Sequence, residues 1–118
     1  MKNDKLTQKD SDIIVAKILI EVAKQGGTIT YKDLGKKTTR LPVSFSKTLE
    51  RISDICIANN MPRLSAIVVS KETRRPQVGY YNVYYGGEQS PRNEGILFAK
   101  DCVEIYEYDN WDSLLPLI

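Results

Sequence analysis

A chain of 118 residues with 42% hydrophobic side chains matches one domain built on a single core, with little room for a second site-bearing unit. Charged residues make up 27% and the formal net charge is +2, a balance that does not by itself mark a nucleic-acid binder. Two cysteines without CxxC spacing and no histidine argue against a disulfide framework or a zinc site, and the cysteines read as buried thiols in a reducing compartment.

The opening "MKNDKLTQKD" is polar and mixed in charge, unlike a signal peptide, and residues 1–10 read as a flexible N-terminus. The apolar "IIVAKILIEVA" that follows is broken by Lys17 and Glu21 and is too short to cross a bilayer, so a soluble, cytoplasmic protein without membrane contact is expected. Within it Ile14, Ala16, Ile18, Leu19, Val22 and Ala23 fit one helical face. The spacing predicts a helix over about 11–24, capped by Asp10 or Ser11 and ended by Gly26.

"TIT" at 28–30 is a short β-prone piece, and Thr30 with Asp33 three residues later resembles a capping box that opens the short helix "YKDLGKKT". Beyond "TRLPV", Phe45, Leu49, Ile52 and Cys56 recur at i, i+4, i+7 and i+11, predicting a third, amphipathic helix capped by Ser44 and stopped by Asn59, Asn60 and Pro62. "LSAIVVS" and "VGYYNVYY" read as two β-runs joined by the basic turn "KETRRPQ", with Pro76 outside the strands. A last helix is expected over about 91–106, with Ser90 as its cap and Pro91 at its first position. The closing "WDSLLPLI" is too apolar to hang in water and should dock on the core of its own chain or build a dimer interface, leaving monomer and homodimer both open.

This order is that of a mainly α, α/β winged helix-turn-helix with a β-hairpin wing and an added C-terminal helix. The expected organisation is a winged-helix domain over 11–87 and an acidic helix with a docking tail over 88–118 of the same domain.

The near-neutral total hides an uneven distribution. Residues 31–51 hold six Lys or Arg against two acids, whereas residues 88–118 hold seven acids against two cations. The third helix is the natural recognition helix, its outer face expected to present Ser44, Lys47, Thr48 and Arg51 to a major groove. Lys32, Lys36 and Lys37 on the second helix, with Arg40 after it, would track phosphates, and Lys71, Arg74 and Arg75 at the hairpin tip would reach a flanking groove. The competing reading is a set of solvated faces. Tyr80 and Tyr84 fall on one face of the expected strand, suited to packing or to meeting a protein partner.

"TITYKDLGKKT" resembles the opening of the DNA-binding domain of alkylguanine-DNA alkyltransferases and alkyltransferase-like proteins, where a Thr-Tyr-Gly turn starts a helix-turn-helix. "RLSAIVVSKETRRPQVGYY" is similar to that family's following segment, a Pro-Cys-His-Arg-Val-Val active-site motif, a turn and a Gly-Tyr. Overlaying Val68 and Val69 on the paired valines puts Leu64 at the Pro, Ser65 at the Cys, Ala66 at the His and Ile67 at the Arg. Alkyl transfer needs a thiolate prepared by a neighbouring base, so the serine and the absence of histidine remove that activity. The segments "TYKDL", "NNMPRLSAIVVSKET" and "YEYDNW" also resemble motifs of small bacterial and phage proteins, some fused to restriction-type endonucleases, over about residues 18–112. That resemblance implies a winged-helix protein of a mobile element or defence locus.

The expectation is therefore a non-enzymatic, cofactor-free and metal-free protein that binds double-stranded DNA as a small regulator or accessory factor. The alternative is a protein-binding module, such as a phage-encoded inhibitor of a host defence nuclease of anti-CRISPR or anti-restriction type, acting through Tyr80, Tyr84 or the acidic C-terminal segment. A structural subunit of a larger defence assembly is the third reading.

Overall fold

A computed structural model of the chain describes residues 7–38 and 45–118. The described residues form five α-helices, two 3-10 turns and a two-stranded sheet, a mainly helical α/β arrangement.

Helix α1, Gln8–Lys24, starts earlier than its apolar face suggests, because Thr7 and Asp10 form a reciprocal capping box. Residues 7–10 of the expected N-terminal arm are thus the cap and first turn of α1, and residues 1–6 lie outside the described residues. Gly26, at φ +70°, ends the helix in the left-handed conformation. Strand β1, Ile29–Thr30, leads directly into α2, Tyr31–Lys37, and the Thr30 hydroxyl accepts from the Asp33 amide at 3.0 Å, the threonine half of the expected capping box. Helix α3, Phe45–Ala58, buries Leu49, Ile52 and Cys56, the inward row that its periodicity gives. The expected cap Ser44 and the Phe45 side chain lie outside what is described. Asn60 takes φ +59° after α3 and lets the Met61 amide return to the Cys56 carbonyl at 2.8 Å.

The β-hairpin wing is corrected. Leu64–Ile67 is a 3-10 turn, and only Val68–Val69 extend, as β2. β2 pairs with β1 in parallel, Ile29 beside Val68 and Thr30 beside Val69, not with the segment that follows it. That following segment, Val78–Tyr85, is helix α4. Its four tyrosines alternate like a strand, but they also stand in i, i+4 pairs, and burial of Tyr81 with the partly buried Tyr80 outweighs their β preference. Gly86, at φ +77°, then closes α4 as a left-handed cap.

Helix α5, Pro91–Glu107, has the expected Ser90 cap and first-position proline. A second 3-10 turn, Trp111–Leu117, folds back so that Trp111 and Leu114 are buried against α1 and α3 of the same chain. The core is therefore continuous: Val15, Leu19 and Ile20 of α1 meet Ile52 of α3, Leu64 and Ile67 of the first 3-10 turn, Ile105 of α5 and the tail. Cys56 is buried and Cys102 half-buried, both as free thiols.

Candidate functional site

The expected contact residues separate into two groups. Lys32, Lys36 and Lys37 are exposed on α2, Lys47 is exposed on α3, and Lys71 and Arg74 are exposed on the turn after β2. Arg40 and Ser44 lie outside the described residues.

Thr48, Arg51 and Arg75 are engaged elsewhere. The Arg51 guanidinium donates to both oxygens of Asp12 at 2.9 Å and to the Thr48 hydroxyl at 3.2 Å. Asp12 is 6% exposed, so this bidentate pair fastens α1 to α3, and the face with Thr48 and Arg51 turns toward α1 instead of a groove. The outer face of α3 carries Ser46, Lys47, Glu50 and Asp54. Arg75, half-buried, donates to the Pro91 carbonyl at 2.6 Å and lies 3.9 Å from Glu94, holding the start of α5. Residues 70–75 form a closed turn, with the Ser70 amide bonded to the Arg75 carbonyl at 2.9 Å, not a projecting hairpin tip.

The assembly also makes something that no single segment announces. An open cleft of about 440 Å³ lies between α2, α3, the first 3-10 turn and α4, within the size range of small-molecule sites. Tyr31 opens it from the first turn of α2, Ser46 and Glu50 from α3, Ser65 from the 3-10 turn, and Tyr80 and Tyr84 from α4. Tyr31 ties two of these walls together, its hydroxyl lying 3.4 Å from the Gln77 amide. Ser65 is 7% exposed and its hydroxyl shares a 2.6 Å hydrogen bond with that of buried Ser53. Lys32 follows Tyr31 and Lys47 follows Ser46, so exposed cations adjoin the mouth in sequence, while no cation lines the cleft. Such a site suits a planar, uncharged aromatic group stacked on tyrosines more than a phosphate.

The tyrosine wall is supported from behind. Arg63 places its guanidinium 4.9 Å from the ring centre of Tyr84, 5.1 Å from that of Tyr85 and 5.7 Å from that of Tyr80. It donates to the Tyr80 hydroxyl at 3.2 Å, the Tyr85 hydroxyl at 2.8 Å and Asp101 at 3.3 Å. Both phenols donate in turn to Asp101 at 2.7 Å. Every buried polar side-chain atom among the described residues has a partner. Sequence reasoning treated Tyr80 and Tyr84 as strand residues and missed Arg63 and Asp101. Their one sequence signal is an aromatic cluster between isolated opposite charges.

The cluster gives the fold an alkaline limit. Burial, reinforced by the Asp101 charge, raises the Tyr80 phenol far above the ordinary value of 10.0. Burial and the bond to Asp101 push Tyr85 up to about 12, and burial with the nearby Glu94 does the same for Tyr81. A raised phenol favours the fold fully below its unfolded value, and that contribution is lost as pH climbs from about 10 toward about 12. Ultraviolet absorbance titration is expected to show phenolate formation lagging that of the urea-unfolded chain, with the buried phenols ionising as helical circular dichroism is lost. Ionisation of all tyrosines near the ordinary value in a still-folded chain would contradict the cluster.

Among the described residues no group of three His, Cys, Asp or Glu side chains is placed to hold a metal ion, and no helix is long and apolar enough to cross a membrane. The chain matches no family model, no curated protein and no solved structure.

Proposed function

We propose that this chain binds double-stranded DNA as a small accessory factor and receives one unstacked base in the tyrosine-lined cleft without changing it chemically. One observation carries the reading: buried Ser65 lines an aromatic cleft with Tyr31, Tyr80 and Tyr84, beside helices that expose Lys32 and Lys47, and the alkyltransferase resemblance would set that serine at the active-site cysteine. Lys36, Lys37, Lys71 and Arg74 extend the cationic surface for phosphate contacts. The reading keeps α2 and α3 as a helix-turn-helix and dispenses with a β-hairpin wing. Binding without transfer is the reading because Ser65 stands where transfer would need a thiolate, its hydroxyl is held by Ser53, and the chain has no histidine to activate it.

Fluorescence anisotropy with labelled duplexes, one fully paired and one with a central mismatch, tests this between low and physiological salt. Affinity is expected to fall steeply with salt, and Lys32→Glu/Lys36→Glu/Lys47→Glu is expected to lower it by roughly tenfold or more and flatten the salt slope. The mismatched duplex, whose base unstacks at lower cost, should bind more tightly. Tyr84→Ala should reduce that preference by about five- to 150-fold, the effect of losing a base–aromatic stack worth roughly 1–3 kcal/mol. Absence of binding at low salt would defeat the reading and favour a protein partner.

A further inference from the structure

Helix α5 carries a second feature, unrelated to the cleft. Its inward side holds Asp101 and Ile105, both buried, and Glu94 and Phe98, both half-buried. Along the opposite side Arg92, Ile96, Ala99, Lys100, Val103 and Glu107 are all exposed. Ile96 is 55% and Val103 53% exposed, seven residues apart in the same row, which is the repeat of a helix-pairing seam. Ala99 lies between them and lets a second backbone approach closely.

The row is its own complement when reversed. Residues 92 and 107, and residues 96 and 103, are each centred on the same point of the helix, between Ala99 and Lys100. A second α5 laid antiparallel about that point sets Ile96 against Val103 of the other copy and Arg92 against its Glu107, twice over. A parallel pairing would instead place Arg92 on Arg92 and Glu107 on Glu107. Lys100, nearest the axis, is neutralised within its own helix by Glu104 at 3.3 Å.

We propose that the chain self-associates through α5 as an antiparallel, two-fold pair, with the Ile96 and Val103 seam buried and the Arg92–Glu107 pairs fixing register and direction. Such a surface is isologous, the same patch serving both copies. One helix pair buries less than the roughly 1,200 Å² of a standard stable interface, so the dimer is weak, half-dissociated at about 0.1 mM. None of the seam residues lines the cleft, and the inference stands whether or not the chain binds DNA.

Sedimentation equilibrium of the full chain, from about 10 µM to about 1 mM, tests it. Wild type is expected to move from monomer to dimer across that range, and Ile96→Asp/Val103→Asp to remain monomeric while keeping the wild-type circular dichroism spectrum. Arg92→Glu alone and Glu107→Arg alone should each weaken association by roughly tenfold, because each creates two like-charge contacts. Arg92→Glu/Glu107→Arg in one chain should restore it, and so should mixing the two single variants. A wild type that stays monomeric, or a double reversal no better than the single ones, would overturn the proposal. Since the charge variants lie on an exposed surface, their loss of association cannot be confused with failure to fold.

Discussion

Asp101→Ala is expected to lower the unfolding free energy by about 3–5 kcal/mol, the loss typical of removing one partner from a buried ion pair. The Asp101 side chain is 4% exposed and accepts from Arg63, Tyr80 and Tyr85. Its removal strands two phenols and a guanidinium among aromatic rings. Arg63 retains 23% exposure, so water can recover part of its solvation, which favours the lower half of the range. Asp101→Asn keeps the shape but replaces one accepting oxygen with a donor that faces other donors, and should cost about 1–3 kcal/mol. Removing both charges with Arg63→Met/Asp101→Leu should cost less than the two single truncations added together, since no unpaired charge survives although the Tyr80 and Tyr85 hydroxyls still lose their partners. Urea denaturation measures all three, and an Asp101→Ala loss below about 1 kcal/mol would show that the network is not a structural anchor. The same variant links stability to the cleft. With Tyr80 released and Arg63 unpaired, the wall holding Tyr84 loosens, so under the proposed base-binding function discrimination of a mismatched duplex should weaken together with the fold.

Local signals in the sequence account for most of the helical frame. The inward row Leu49, Ile52 and Cys56 and the Ser90–Pro91 start of α5 involve residues within a few turns of one another, and the helices follow them. The apolar content of α1 marks its helix too, but the row it buries is Val15, Ala16, Leu19, Ile20 and Ala23, with the expected Ile14, Ile18 and Val22 only half-buried. The Thr30 cap is legible for the same reason. What local pattern could not provide is choice of partner. Val68 and Val69 read as strand and are strand, but they pair with Ile29 and Thr30 from far earlier in the chain, in parallel, and the hairpin inferred from sequence proximity is absent. The tyrosine run satisfied both a two-residue and a four-residue period, and only packing decided between them, although Gly86 was already a helix-end signal. The cations posed the same difficulty. Arg51, Arg63 and Arg75 look like Lys47 and Arg74 in sequence, yet the first three meet Asp12, Asp101 and the Pro91 carbonyl across the fold, while the last two remain exposed. A basic patch counted from sequence therefore overstates the surface offered to a polyanion. The cleft was unreadable for a further reason, since its walls come from four elements and none has the composition of a site by itself.

Trp111→Ala, the second large effect, is expected to destabilise the chain by about 3–5 kcal/mol, and to do so globally. The indole is 2% exposed, packs edge-on against Tyr108 at 4.8 Å and donates from Nε1 to the Ile105 carbonyl at 3.1 Å in the last turn of α5. It therefore fills core volume and also gives the helix-end Ile105 carbonyl, which accepts the Tyr108 amide at 3.3 Å, a second donor. Trp111→Phe retains much of the volume but loses that donor, so its cost should be about 1–3 kcal/mol. By contrast, the Lys24–Asp112 bridge at 2.8 Å joins two well-exposed side chains, and breaking it should change stability by less than about 1 kcal/mol. Trp111 is the sole tryptophan, so in the wild-type chain its fluorescence reports tail docking while far-ultraviolet circular dichroism reports the helices. Because Trp111 and Leu114 share one buried cluster with Leu19, Ile52 and Ile105, the two signals should move together through a urea titration. If fluorescence moved first, the tail would be a separately opening unit, and Trp111→Ala would then release residues 109–118 while α1, α3 and α5 kept most of their stability.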